Sequence, residues 1–385
     1  MAPATGKDDA GIATDGDKRL KAAEPIHKRL LFGLATASIQ NVVVGPAMTY
    51  RQLKQRVFPP ETNPTLVKTF EVRPKLPVRI FFPKAYDRNS PRPLPLLLSI
   101  HGGGFVVGDP SDNDIWNSKF SEQHSALVIA LNYAKAPANP FPGPRQDLEA
   151  QIAAIFADPE LTPHIDPAKV GITGFSAGGS LTLTVSEIPA VREKVTAGIV
   201  PIYPVTDLSI TPEVKAKTRR YKPKLGGSRG RDKDPLSGMA GLFDWSYIPV
   251  GQDLRDPLLS AFHANRSDLP KRMWIVGCEL DMLGHEAWRA ACKFAGKPVP
   301  SLDQPIGQEE LAGGGKAGTL ITTGDERFAF DVKDQNGEVK WLCVADAGHG
   351  FDMAAMMGAG KEDVEDGDLK RDALIQMTGE WLFGQ

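Results

Sequence analysis

Four short stretches of this sequence carry residues able to do covalent chemistry together. Gly174-Phe175-Ser176-Ala177-Gly178 sets a serine between two glycines, after an apolar run and before a helical pattern. A strand that turns sharply into a helix there would hold the Ser176 hydroxyl clear of the backbone. Gly174 and Gly178 would be required because side chains at those positions would collide in the turn. A serine hydroxyl is a poor nucleophile at neutral pH. It needs a base for its proton, a third group to orient the base, and donors for the oxyanion that develops on an attacked carbonyl. The pentapeptide alone fits many glycine-bearing loops, so the rest of the chain must supply these partners.

It offers a candidate for each, in a usable order. His349 lies in Gly348-His349-Gly350-Phe351, directly after the last strand-like run, where its ring can reach across toward the serine. The other six histidines lie upstream of the serine or away from a final strand end. For the orienting acid, Asp281 follows a buried strand pattern by a few residues, in Glu279-Leu280-Asp281-Met282-Leu283; Glu279 is a rival on spacing alone. Asp253 and Asp256 precede that strand, and Asp256 with Pro257 reads as a structural turn. His101-Gly102-Gly103-Gly104 follows another buried strand, and its glycines allow backbone N–H groups to approach an oxyanion alongside the N–H of Ala177.

Positioning these groups takes a sheet whose strand ends converge. Continuous apolar runs at residues 94–100, 126–133, 170–174, 198–203 and 273–278 read as strands buried on both faces. Helical patterns at 145–156, 177–187, 284–294 and 368–383 alternate with them, which makes an α/β doubly wound pattern with a mainly parallel sheet. The short runs 66–73 and 77–82, bordered by prolines, suit strands near a sheet edge. Residues 26–57 read as one or two helices with a break at Gly45-Pro46. The glycine-rich segment 296–336 interrupts the rhythm, and Asn336-Gly337 between the alternating run 327–332 and the last strand, 339–344, predicts a β-hairpin extension.

Composition narrows the partners. The 385 residues are 41% hydrophobic and 24% charged with a net charge of -2, an ordinary soluble balance that gives no electrostatic reason to expect nucleic acid. Cys278, Cys292 and Cys343 are too few and too scattered for a disulfide framework or a structural zinc site, and read as buried thiols of a reducing, cytoplasmic compartment. Residues 1–25 lack the apolar core of a secretory signal and read as disordered. The apolar stretch 30–44 includes Thr36, Ser38, Gln40 and Asn41 and falls short of the roughly twenty residues a membrane span requires, so it reads as an amphipathic helix covering a site, without stable membrane insertion, with weak association to a membrane surface as the lesser alternative. The run 211–233 holds nine Lys or Arg from Lys215 onward against one acid, Asp232, and reads as a solvated, mobile loop.

Together, His101-Gly-Gly-Gly-Phe105, Gly174-Phe-Ser-Ala-Gly-Gly179, Asp281-Met-Leu and Gly348-His-Gly-Phe351 resemble the hormone-sensitive-lipase-like branch of the α/β-hydrolase superfamily. Asn132-Tyr133-Ala-Lys-Ala-Pro137 with Phe141-Pro142 and Asp147 resembles a further segment of that branch. The resemblance covers roughly residues 66–383. It implies an α/β-hydrolase fold and cofactor-independent, metal-free hydrolysis of small to medium acyl esters through an acyl-enzyme. Ser176, Asp281 and His349 would be catalytic, with Gly103, Gly104 and Ala177 as oxyanion donors. A cap is implied from residues 26–57 and 205–255, over a single domain spanning 26–385. The expected partner is a small-molecule ester, with a homodimer left open. Phe175, Lys135 and Asn139 depart from the branch's usual residues, and the connection from Asp281 to His349 is unusually long. A non-catalytic small-molecule receptor on the same fold and a lipid-surface lipase are the alternatives.

Overall fold

The structure is a computed structural model that describes residues 12–15 and 18–384. Of the N-terminal segment expected to be disordered, residues 1–11, 16 and 17 lie outside the described residues. The remainder departs from that expectation. Strand β1 (Ile12–Asp15) pairs antiparallel with β2 (Lys18–Lys21), and β2 bonds onward, Lys21 N to Gln252 O at 2.8 Å and Leu254 N to Arg19 O at 2.7 Å. A partner strand and backbone groups from far along the chain, an acceptor in Gln252 O and a donor in Leu254 N, satisfy this stretch, and local composition carries no sign of either.

Helices α1 (Ile26–Ser38) and α2 (Gly45–Val57) are joined by a π-helical turn, Ile39–Val44, into one continuous helix. The break expected at Gly45-Pro46 is absent. Proline lacks an N–H and crowds the preceding turn, and the widened turn absorbs both effects. The same continuity corrects the length argument made for residues 30–44. The joined helix, Ile26–Val57, has 32 residues and is long and apolar enough, by length and composition, to cross a membrane.

The strands that follow are β3 (Leu66–Lys68), β4 (Val78–Phe81), β5 (Leu94–Ile100), β6 (Leu127–Leu131), β7 (Ile165–Phe175), β8 (Gly198–Ile202), β9 (Arg272–Cys278), β10 (Ala329–Asp334) and β11 (Gly337–Val344). They form one sheet in the order β10-β11-β9-β8-β7-β5-β6-β4-β3. The pairs from β6 through β11 in that order are parallel, and antiparallel strands close both edges. The hairpin read from Asn336-Gly337 is present, with Asp334 opposite Gly337.

The interleaved helices are α3 (Asp114–Gln123), α4 (Gly143–Ala157), α5 (Ala177–Ser186), α6 (Pro189–Arg192), α7 (Pro212–Ala216), α8 (Ala240–Tyr247), α9 (Gly284–Phe294) and α10 (Lys361–Phe383). Side-chain alternation divides each central strand between two cores. Leu96, Leu98 and Ile100 of β5 pack with Leu148 and Ile152 of α4, Leu181 of α5 and Trp288 of α9. Leu97 points the other way, with Trp116 and Phe120 of α3 and Ile375 and Phe383 of α10. Each fully buried Leu or Ile contributes about 1.5–3 kcal/mol relative to exposure.

The basic run 211–233 is not a solvated loop. Lys215 and Lys222 are buried, and each meets acids distant in sequence: Lys215 Nζ to Glu286 at 2.6 Å, and Lys222 Nζ to Glu279 at 2.9 Å and Asp346 at 2.6 Å. Arg219 donates to Leu280 O at 2.7 Å and Arg220 to Ile306 O at 2.7 Å. Lys215, Arg219, Arg220, Lys222 and Arg229 of the run are paired with acids across the fold, which a count along the chain does not register, while Lys217, Lys224, Arg231 and Lys233 are exposed.

Candidate active site

The elbow takes its shape from β7 and α5. Ser176 adopts φ 55° and ψ -117°, left-handed backbone that costs a non-glycine residue on the order of 1–3 kcal/mol and persists only where its surroundings enforce it. Enforcement comes from crowding. A Cβ on Gly174 would sit 2.2 Å from Gly178 O, and one on Gly178 would sit 2.1 Å from Ile100 O. The turn can therefore press against the end of β5 only with glycine at both places, and Ser176 N is fixed by Ile202 O at 2.9 Å.

His349 comes from the turn after β11. Its Nδ1–H donates to Asp281 Oδ2 at 2.7 Å, and the Ser176 hydroxyl lies 2.8 Å from Nε2 and can donate to it. Asp281, fully buried, holds its second oxygen against Leu283 N at 2.9 Å. Glu279, the rival on spacing, is directed elsewhere: it accepts from Lys222, from Asp346 N at 2.8 Å and from Gln308 N at 2.8 Å. Burial works against a charge on His349, but the Asp281 carboxylate, through space and through its hydrogen bond, outweighs it with help from Asp234 and Asp352, so the imidazole pKa lies above its ordinary 6.5.

The glycine turn after β5 stands opposite. Gly103 (φ 108°) and Gly104 (φ 58°) adopt left-handed backbone, and a Cβ on Gly104 would strike the Phe243 ring of α8 at 2.6 Å. Among the described residues the amides of Gly103 and Gly104 meet no hydrogen-bond acceptor. Ala177 opens α5, so its N–H is one of those a helix leaves without an internal partner. Three backbone donors are thus free near the serine, as an oxyanion site requires.

Several supporting residues escaped sequence reading. The Tyr203 hydroxyl donates to Asp352 at 2.6 Å, and its ring centroid lies 4.7 Å from that of His349. Asp234 accepts from Met282 N at 2.8 Å and from Leu236 N at 2.8 Å, tying the stretch before α8 to the Asp281 loop. Tyr203 and Asp234 belong to no motif and sit in unremarkable local sequence; only the position of Asp352 just after Gly350-Phe351 could have drawn notice. Lys135, met in the sequence as a departure, has a defined place. Its ammonium lies 3.2 Å from His101 Nε2 and also donates to Tyr133 O. His101 Nδ1–H donates to Gly102 O at 2.7 Å, and the ring stacks on Tyr133. Burial, then the nearby Lys135, drives the His101 pKa down to about 3, so this histidine is a neutral brace for the glycine turn; burial likewise lowers Lys135 to about 7. Asn139, the other departure, donates to Asp147 at 2.9 Å.

Ser176 and His349 open into a cavity of about 600 Å³ with mainly apolar walls, among them Val43 and Met48 of the N-terminal helix, Leu208, Phe243 and Leu283. Of the charged wall residues, which include Asp244, Arg51 is paired with Asp112 at 2.8 Å and Lys215 with Glu286 at 2.6 Å. Among the described residues no group of three or more His, Cys, Asp or Glu is arranged to hold a metal ion. The three cysteines are free and buried.

Known proteins are similar to this chain in sequence and fold. A family model described as an alpha/beta hydrolase fold matches residues 97–303. An acetyl-hydrolase of Streptomyces hygroscopicus is 31% identical over 215 residues, 54% of this chain and 65% of that protein. The arylacetamide deacetylase of Bos taurus is 32% identical over 134 residues, 34% of this chain and 33% of that protein. The chain thus spans about a third to just under two thirds of the length of these relatives. A Pyrobaculum calidifontis esterase structure superposes with a TM-score of 0.61 at 20% identity, covering 93% of this chain and 97% of that one, a likeness of fold. With the family model covering more than half of its residues, the chain belongs to the α/β-hydrolase superfamily, in its hormone-sensitive-lipase-like branch.

Proposed function

We propose that the protein is a serine carboxylic-ester hydrolase acting on small to medium acyl esters through an acyl-enzyme. The observation that carries this reading is the unbroken relay from Asp281 Oδ2 to His349 Nδ1 at 2.7 Å and from His349 Nε2 to Ser176 Oγ at 2.8 Å, opening into an apolar cavity. Ser176 Oγ attacks the ester carbonyl while its proton passes to His349 Nε2. The oxyanion accepts hydrogen bonds from Gly103, Gly104 and Ala177 N–H. The tetrahedral intermediate collapses as His349 returns the proton to the leaving alkoxide, and the alcohol departs. Water, deprotonated by His349, then attacks acyl-Ser176, and the second collapse releases the carboxylic acid and restores the serine. Asp281 holds the Nδ1–H tautomer throughout and stabilises the imidazolium.

We read residues 26–57 and 205–255 as the cap of a single domain, because both segments contribute cavity wall. Relatives named acetyl-hydrolase and carboxylesterase agree in reaction class. A receptor on this fold would have no use for a histidine held between the serine and a buried carboxylate. The test is a series of p-nitrophenyl esters from acetate to palmitate together with fluorophosphonate labelling. Expected are labelling at Ser176 and hydrolysis that falls by a factor on the order of 10⁴–10⁶ in Ser176→Ala. Folded protein that neither labels nor hydrolyses any member of the series would end this reading.

A further inference from the structure

The N-terminal helix has two unlike sides. One is bonded to the body of the protein. Phe32 packs on Trp245 with ring centroids 5.9 Å apart, the Thr36 and Ser246 hydroxyls lie 3.4 Å apart, and Gln40 donates to both Val106 O and Ala136 O at 2.8 Å. Arg51 closes the row on Asp112. The opposite side presents Leu30, Leu31, Leu34, Val42, Tyr50 and Leu53 to solvent, each more than half exposed, and Phe58 beyond the helix end is 73% exposed. Single exposed apolar residues are ordinary, but a row of this length, interrupted only around Ser38 and Asn41, marks an interaction surface.

Charge indicates what that surface meets. Residues 26–58 contain Lys28, Arg29, Arg51, Lys54 and Arg56 and no Asp or Glu, in a chain whose net charge is -2. Lys28, Arg29, Lys54 and Arg56 are exposed and stand near the two ends of the apolar row, with Lys28 3.7 Å from Glu24. A second copy of the chain would set like charges against each other. An anionic lipid surface would accept both the apolar row and its basic ends. The helix is apolar enough to span a bilayer, yet Gln40, Thr36 and Arg51 hold its inner side on the protein, which favours lying in the plane of the interface. The surface is continuous with the candidate site: Val43, Ala47 and Met48 are cavity wall, and across the opening Met356 and Met357 are exposed, with Arg51 3.6 Å from the Met356 sulfur.

We propose that the outer face of this helix, with Met356 and Met357, adsorbs to membrane surfaces carrying anionic phospholipid, placing the cavity mouth against the lipid. On the reading of the site as an esterase, lipophilic esters then arrive from the membrane rather than from water. Adsorption itself does not depend on that reading and is measured on the full chain carrying Ser176→Ala. The protein is mixed with vesicles of phosphatidylcholine alone or with phosphatidylglycerol as the minor component, and floated on a density gradient. Expected are flotation with the anionic vesicles, weaker flotation with pure phosphatidylcholine, and release as salt is raised. The variant Leu30→Glu/Leu34→Glu/Leu53→Glu, at positions away from the cavity, should bind anionic vesicles about a hundredfold more weakly. In the Ser176 background it should keep the wild-type rate on p-nitrophenyl acetate and the wild-type circular dichroism. Protein that stays in the lipid-free fractions, or a variant that floats as well as its parent, would overturn the proposal. So would a dimer, seen by light scattering, that the same substitutions dissociate while vesicles capture neither form.

Discussion

Replacing Lys222 with methionine tests whether the basic segment 211–233 is a buried clamp or a surface loop. Lys222 Nζ lies among Glu279 Oε2 at 2.9 Å, Asp346 Oδ1 at 2.6 Å and Glu310 O at 2.9 Å, and its side chain is 1% exposed. Methionine retains most of the volume and removes the charge, so the loss is electrostatic. Removing one partner of a buried ion pair costs about 3–5 kcal/mol because the other charge is left uncompensated. Here two carboxylates are left, but both keep backbone donors: Asp346 N and Gln308 N for Glu279, Ala312 N for Asp346. That places the expected loss near the lower end, about 3 kcal/mol, a large part of a typical total of about 5–15 kcal/mol. Urea unfolding followed by circular dichroism at pH 8 is the assay, and adding Glu279→Gln to Lys222→Met should recover on the order of half the loss. A deficit below about 1 kcal/mol at pH 8, the size expected of an exposed pair, would refute the reasoning.

Two further expectations concern the site. His349 must be neutral to accept the serine proton, so with its pKa raised above 6.5 the rate should rise with pH through a midpoint above 6.5. Asp281→Asn removes the main support of the imidazolium and should move that limb to lower pH while lowering kcat by a factor on the order of 10⁴, as read from a kcat/KM profile; an unmoved limb would separate the titration from His349. Gly104→Ala forces a Cβ into the Phe243 ring at left-handed backbone and should reduce kcat by a factor on the order of 10²–10³ through a displaced oxyanion donor. Phe243→Ala in the same chain should restore part of it, and a Gly104→Ala enzyme with wild-type kcat would remove Gly104 from the oxyanion site.

The parts of the molecule legible in the sequence are those governed by near neighbours. Runs such as Leu94–Ile100 announce strands buried on both faces because parallel strands covered by helices leave no polar side, and the elbow glycines announce themselves because the turn excludes any Cβ. Asp281 and Glu279, two residues apart, were indistinguishable in spacing. What separates them is the cation from Lys222, nearly sixty residues away, which holds Glu279 out of reach of His349. Lys215 and Lys222 looked solvated for the same reason, their acids lying far along the chain. Helix α3 went unread because Asp114–Gln123 mixes polar and aromatic residues without a clean stripe. Strands β1 and β2 went unread because β2 bonds onward to Gln252 and Leu254, more than two hundred residues away.

The π-helical turn at Ile39–Val44 sets the angular phase of everything after it. Thr36, Gln40, Val44 and Met48, successive positions of the inner side, fall four residues apart, and in an unbroken α-helix, at about 100° per residue, each such step would drift about 40° around the axis. The wider turn takes up part of that drift, so that Met48 and Arg51 still face the cavity while Thr36 and Gln40 bond to the body of the protein. With the turn kept at its present width, deleting one residue between 39 and 44 would rotate the whole of α2 by about 100°, carrying Arg51 away from Asp109 and Asp112 and bringing Thr49 and Gln52 to the places of Met48 and Arg51. Helix length in this segment is therefore constrained residue by residue: a one-residue indel here would rewrite the cavity wall without touching Ser176, Asp281 or His349.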